Sequence, residues 1–233
     1  MILEQELHPI QMNILRTLLF IPAARFTQLN NQKIGTDQFN FHLKRLLALS
    51  LVEKQGARYY SLTIKGKEAA NQMDTDTATF EKQAKVAVLI VGVRRQRNRQ
   101  EFLVQKRLKQ PYYGFHGFIS GKVRWGEILK EAAAREFKEE AGLSTRLELK
   151  GIKHKIDYDQ SGLLLEDKYF FVFRANNPSG KLINKFEGGE NSWLTREDIL
   201  RLPQLFDGVD ESLKIILGRR LLFSEDKYNV SHY

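Results

Sequence analysis

Gly121-Lys-Val-Arg-Trp-Gly-Glu127, followed after seven residues by Arg135-Glu-Phe-Lys-Glu-Glu-Ala-Gly-Leu143, is the stretch from which the rest of the chain is read. Glu136, Glu139 and Glu140 stand at i, i+3 and i+4, a spacing that puts three carboxylates on one face of a helix. Like charges there repel unless a cation lies among them. Oxygen-rich clusters suit hard divalent ions, Mg²⁺ or Mn²⁺, which bind phosphates at the same time. Ile128, Leu129, Ala132, Ala133, Phe137 and Ala141 recur at spacings of three and four and form an apolar counter-face. Gly142 stands where a left-handed C-terminal cap is expected, and Glu127 lies near the positive end of the helix dipole. Arg135 is placed to reach back to an acidic neighbour, while Gly121 and Gly126 allow a tight loop. A charged triplet alone is most often a solvated face. Nine specified positions matching together set this one apart.

The segment Gly121–Leu143 resembles the Nudix box, and the match to that signature is complete. The resemblance runs from about Lys85 through most of the remaining chain. It implies an α+β fold, an α/β/α sandwich with a mixed sheet, and Mg²⁺-dependent hydrolysis of the pyrophosphate in a nucleoside diphosphate linked to another group. The implied metal ligands are Glu136, Glu139, Glu140 and the main-chain carbonyl of Ser120. A further carboxylate is expected from Glu190, three residues before Trp193, with Glu187 as the second choice. Glu139 or Glu136 would act as general base, with Arg135 and Glu127 fixing the loop and helix. Many relatives read Phe-Pro-Gly-Gly before the box, whereas this chain reads Phe118-Ile119-Ser120-Gly121. Losing the proline alters loop stiffness but leaves a main-chain ligand available. Tyr113, Phe115 and His116 border the box and, with Arg107, are the candidates for contact with the substrate's base or sugar.

Composition frames these readings. The 233 residues carry 37 Lys and Arg against 28 Asp and Glu, a net charge of +9 that favours polyanionic partners. The excess is spread: residues 1–85 hold 11 basic against 8 acidic side chains, and the remainder 26 against 20. There is no cysteine, hence no disulfide framework and no thiolate ligand. No apolar run approaches the ~18 residues of a membrane span. Glu4 and Glu6 precede any basic residue, unlike a secretory leader, so a soluble cytoplasmic protein is expected.

Organisation along the chain predicts a first domain over 1–73, a linker over 74–84 and a second domain over 85–233. In the first, Ile10, Ile14, Leu15, Leu18 and Leu19 mark a helix with Pro9 at its start. A short helix at Phe26–Leu29, a longer one from Thr36 to about Leu49, a hairpin of 51–55 with 59–62, and a helix capped by Thr63 follow. This succession resembles a small winged helix-turn-helix domain. That resemblance puts Gln38, Asn40 and Lys44 on the exposed side of a recognition helix and Arg58 at the wing tip, in reach of duplex DNA. Protein contact alone is the competing reading. In the second domain, Val86–Val93 is a buried strand, Arg94–Gln100 a charged turn, and Glu101–Arg107 the returning strand. Residues 145–156 and 168–175 predict further strands. Leu213, Ile216, Leu217, Leu221 and Leu222 read as one helix that packs on the domain, with a homodimer contact as the second reading. A rival function is a DNA-binding transcriptional regulator whose Nudix domain senses a nucleotide such as ADP-ribose. Retention of every box carboxylate favours the enzyme.

Overall fold

The computed structural model describes residues 7–80 and 82–233; Glu4 and Glu6 lie outside the described residues. Two compact units divide at Lys82/Gln83.

The first unit contains α1 (Pro9–Phe20), β1 (Ala24–Arg25), α2 (Phe26–Leu29), α3 (Thr36–Ala48), β2 (Val52–Gln55), β3 (Tyr59–Leu62), α4 (Ile64–Asn71), β4 (Met73–Asp74) and β5 (Thr79–Phe80). Pro9 opens α1, where its missing N–H costs no helical bond, and the His8 ring accepts from the Ile10 N–H. Ile14, Leu15, Leu18, Leu29, Phe39, Leu43 and Leu46 close a core between the helices. β1, β3 and β2 form a small antiparallel sheet in that order. Of the linker expected over 74–84, residues 74–80 are structured: β4 and β5 pair as a hairpin, and Ala78 and Phe80 pack on the first unit's core. Their apolar contacts are too few and too short in sequence to show periodicity.

The N-terminal turn of α4 crosses the Leu51 carbonyl so closely that a Cβ at Gly66 would lie 1.8 Å from its oxygen. Thr63 fixes that approach, capping the Gly66 N–H at 2.9 Å while donating to the Ser50 carbonyl at 2.6 Å. Gly66→Ala is expected to destabilise this unit by about 1–3 kcal/mol, as overpacking does. Urea unfolding would read the change, and an unaltered midpoint would count against the contact.

The second unit comprises β6 (Lys85–Gln96), β7 (Arg99–Arg107), β8 (His116–Gly117), β9 (Ile119–Lys122), α5 (Leu129–Ala141), β10 (Leu143–Ser144), β11 (Leu147–Tyr158), β12 (Leu164–Asn176), β13 (Ser179–Gly180), β14 (Lys185–Phe186), β15 (Gly189–Leu194), α6 (Arg196–Leu200), α7 (Val209–Leu217) and β16 (Leu222–Asn229). Its main sheet is ordered β14-β15-β7-β6-β12-β11-β16. It is mixed, because β12 runs parallel to β6 and β16 parallel to β11. β6 is shared along its length: Ala87–Ile90 pair with β9, and Val93–Gln96 pair with β7. β7 and β9 therefore diverge from one strand, and the fork between them carries the site.

Alternation of side chains gives the sheet two apolar faces. Val88, Ile90, Ile119 and Phe173 meet Ala132, Ala133, Phe137 and Ala141 of α5. Val91, Val93, Phe102 and Val172 meet Ile199 of α6 and Leu213 and Ile216 of α7. Of the predicted counter-face, Ile128 alone stays out, 63% exposed as the N-cap residue. The helix predicted through Leu222 ends at Leu217; Gly218 turns the backbone extended, and Leu222 begins an edge strand. Helical spacing happened to continue across that break, and β-pairing with β11 prevails. Among the described residues no helix is long and apolar enough to cross a membrane.

Candidate metal and substrate site

α5 begins at Leu129 and ends at Gly142, which takes the left-handed conformation (φ 72°) and donates to the Lys138 carbonyl at 3.0 Å. The cap sets where the acidic face finishes, just beyond Glu140.

Arg135 organises that face. Its Nε and Nη2 donate to the two oxygens of Glu127 at 2.7 and 2.9 Å, a bidentate pair. Its Nη1 donates to Glu136 at 2.6 Å and to Glu139 at 3.3 Å, and Nη2 also reaches the Lys122 carbonyl at 3.3 Å. Glu127 further accepts from the Arg124 N–H at 2.9 Å. The Arg135 hydrogen bonds, then that backbone donor, hold the Glu127 carboxyl down to about 2. One guanidinium thus locks the loop after β9 to Glu136 on the helix.

Glu136 lies in a cradle made by a missing side chain. A Cβ on Gly121 would stand 1.9 Å from the Glu136 carboxyl carbon, so the acid occupies the space that any other residue at 121 would fill. Ser120, immediately before it, pairs with Leu89 of β6. Glu140 points the other way along the fork. Its side chain, 12% exposed, accepts from Gln105 Nε2 at 3.0 Å and faces Lys109 at 3.9 Å. Burial pushes its carboxyl pKa up. Its backbone carbonyl accepts from Asn191 Nδ2 at 2.7 Å.

The carboxylates share a helix face but their side chains diverge. Among the described residues no three acidic or histidine groups converge at metal-ligating distance. Glu136 and Glu139 lean on Arg135, and Glu140 on Gln105. Glu190, the expected extra ligand, pairs with Lys185 across β14 and β15, and Glu187 is exposed at their turn. The donors are nevertheless all oxygen, and the cradle seats one of them against Gly121, the residue that follows Ser120. That set fits a hard divalent ion.

Beside the fork opens a cavity of about 490 Å³ whose lining includes Ser120, Lys122 and Arg107. Arg107 is held at its wall by the Pro111 and Gln110 carbonyls, to which it donates at 2.6 and 3.2 Å. Six cations line the cavity, Lys85, Arg107, Lys122, Lys153, Lys155 and Lys168, against Asp157, Glu166 and Asp207. Lys85 and Lys168 bind Glu166 at 3.1 and 2.8 Å, and Tyr233 donates to it at 3.0 Å. Lys155 pairs with Asp157, which also accepts from Tyr112 at 2.8 Å. Lys153, 2% exposed, donates to the Gly208 carbonyl, and burial pushes its ammonium down to about 8. Buried charges are costly unless paired or hydrogen-bonded, as Lys155 and Lys153 are here.

The predicted substrate contacts fare unevenly. Arg107 lines the cavity. Tyr113 is 57% exposed and outside it, because Tyr112 takes the inward position instead. Phe115 packs on Tyr112 and Phe206, and the His116 ring faces the Gln204 carbonyl at 3.0 Å. These two buttress the wall rather than form it. Sequence reasoning missed Gln105, Asn191 and the lysines of β11 and β12. The alternation Lys153-His-Lys155-Ile-Asp157, with charges on one strand face, was their available signal. In the first unit Gln38, Lys44 and Arg58 are exposed and Asn40 is half-buried.

Fold and site together define an α/β/α domain with a carboxylate-bearing helix set beside a cavity rich in cationic side chains. The NUDIX domain family model matches residues 83–215, more than half of the chain, and the chain belongs to that family. A Bacillus subtilis protein described as the uncharacterised Nudix hydrolase YvcI is 30% identical over 97 residues, 41% of this chain and 61% of its own length. The chain thus aligns with less than two thirds of that relative. Among solved structures, a MutT protein from Bacillus halodurans is similar in fold, with a TM-score of 0.52 and 23% identity over 62% of this chain and 90% of that one. The NUDIX domain of Shewanella oneidensis NrtR, solved in complex with ADP ribose, gives a TM-score of 0.51 and 18% identity, covering 67% and 100% of the two chains.

Proposed function

We propose that this chain is a Mg²⁺-dependent hydrolase of the pyrophosphate bond in a nucleoside diphosphate linked to another group. The observation that carries the reading is the Glu136 carboxylate seated in the Gly121 cradle, one residue from a cavity lined by six cations. Glu136, Glu139 and Glu140, with the Ser120 carbonyl, would hold the ion. When bound it supplies charge neutralisation at the bridging oxygen and a more acidic water. Arg135 and Glu127 keep the loop and helix in register. Arg107 and Lys122 orient the diphosphate, and Glu139 or Glu136 accepts the water's proton. Glu139, 53% exposed and only loosely held by Arg135, has the freedom to approach a substrate, which favours it as the base.

Hydrolysis of a nucleotide panel with and without Mg²⁺, followed by mass spectrometry, tests the proposal. It should include ADP-ribose, NADH, diadenosine polyphosphates, nucleotide sugars and nucleoside triphosphates. Cleavage lost in Glu140→Gln supports it, and no cleavage of any member sinks it.

Lys153 gives a pH signature. Below about 8 it is a buried cation available to an anion; above that pH the free enzyme loses the charge. KM is therefore expected to climb as pH rises through 8. Lys153→Met should raise KM at pH 7 by roughly ten- to a hundredfold and flatten that rise, given the ~1.5–3 kcal/mol of a hydrogen bond to a charged group. Identical profiles in the two proteins would remove Lys153 from substrate binding.

The second reading, a DNA-binding regulator that senses a nucleotide, is favoured by the first unit. Its order of α1, β1, α2, α3, β2 and β3 supports a winged helix-turn-helix assignment, with α3 as the recognition helix and Arg58 at the β2–β3 turn. The ADP ribose in the NrtR domain supports a ligand of that class. Tight binding of ADP-ribose without cleavage, together with duplex binding weakened by Arg58→Ala, would move the assignment there.

A further inference from the structure

We infer that the β6–β7 hairpin of the NUDIX unit is a contact surface for the phosphate backbone of duplex DNA. The residues 94–100 read Arg-Arg-Gln-Arg-Asn-Arg-Gln, four guanidinium groups and three amides without one acid. β6 and β7 pair to the very end, Gln96 opposite Arg99, so these side chains stand on a rigid ribbon rather than a loose loop.

Three features separate this ribbon from an ordinary solvated turn. The tip residues Arg97 and Asn98 both adopt positive φ, 46° and 66°. Two-residue turns of this kind favour Asn-Gly, and an arginine at the first position is retained against its backbone preference. Arg94 is accounted for, paired with Glu101 at 2.6 Å and stacked on Trp193 at 4.4 Å. Arg95, Arg97 and Arg99 are exposed and make no ion pair among the described residues. Finally, the hairpin does not act alone. Arg95, Asn98 and Gln100 join Arg174, Asn176 and Asn177 from the end of β12 to line a groove of about 450 Å³ with no carboxylate in its wall. Arg174 is held there by Asn176 at 2.7 Å and by the Ile216 carbonyl at 3.2 Å. On its other side Arg99 borders a groove that Glu197 and Asp198 also line, and Asp198 is engaged by Thr195 at 2.7 Å.

Unpaired guanidiniums with interleaved amides match phosphate oxygens. The choice of duplex over single strand follows from what the groove lacks. Single-strand sites stack bases on aromatic rings, and no large hydrophobic residue of 93–100 or 174–177 is exposed. The surface is remote in role from the carboxylate fork, so hydrolysis should not depend on it.

Fluorescence anisotropy of the full-length chain with a short labelled duplex, across a salt series, tests the inference. The triple variant Arg95→Ala, Arg97→Ala, Arg99→Ala is expected to weaken binding by tenfold or more, on the order of one contact's worth per arginine. The slope of log K against log salt should fall by about three. The corresponding triple Arg→Lys variant should keep most of the affinity, and both should keep wild-type melting temperatures. The inference is overturned if the wild-type chain does not bind the duplex, or if the alanine triple binds as the wild type does. Stronger binding to a single strand of the same length, or an equal loss in the lysine triple, overturns it as well.

Discussion

Glu136→Gln is expected to lower Mg²⁺-dependent turnover by roughly 10²–10⁴-fold, the range associated with loss of a positioned acid–base or ligand group. The substitution keeps the shape of the side chain and removes its charge. Arg135 would still find an oxygen at the 2.6 Å position it now uses, so the helix and loop should hold. What disappears is the anionic charge seated against Gly121. Two readouts are needed: kcat on whichever panel member is cleaved, and Mn²⁺ affinity by calorimetry. Both should fall. Undiminished kcat with undiminished metal affinity would show that the cradle holds a structural acid and that the chemistry lies elsewhere.

Gly121→Ala should be nearly as damaging, although it removes nothing. Non-bonded heavy atoms sit about 3.5–4.0 Å apart, and the new methyl would start 1.9 Å from the Glu136 carboxyl carbon. The acid must move by more than an ångström, and a misplacement of that size can cost roughly a hundredfold in rate. β9 itself has no reason to change, because Gly121 pairs with Val88 through its backbone. Melting temperature should therefore shift little while kcat drops. Combining the two substitutions separates the route from the result. If the alanine acts by displacing Glu136, the double variant loses little beyond Glu136→Gln alone. Full additivity would mean that Gly121 matters for another reason.

How legible this protein was depended on how local each feature is. The box helix was readable to within a residue because its carboxylates, apolar face and terminal glycine all lie within twenty positions or so of one another. α1 and α3 are legible in the same way from their own apolar spacing, whereas the closing helix expected from Thr63 to Met73 ends at Asn71 and Met73 opens β4. The fork was not readable, since nothing in Lys85–Gln96 says that one strand will pair with β9 below and β7 above. The cavity was less readable still. Its cations come from β6, β7, β9, β11 and β12 and become neighbours only once the sheet is ordered. Likewise the run from Leu213 to Leu222 kept helical spacing while the chain changed structure at Gly218. Periodicity reports which residues face inward, and it does not report which partner strand will claim them.

Asn191 and Gln105 have a meaning beyond the bonds they make. They sit opposite each other in the β15–β7 ladder, Asn191 binds the Glu140 and Ile183 carbonyls, and Gln105 binds both Asn191 and the Glu140 side chain. The last acid of the helix is thereby aligned by strand register rather than by the helix that bears it. A slip of one residue between β15 and β7 would turn Asn191 to the opposite face and release Glu140 at once. The ladder serves as the molecule's vernier: whole-residue steps between two strands set the position of a side chain on a different layer.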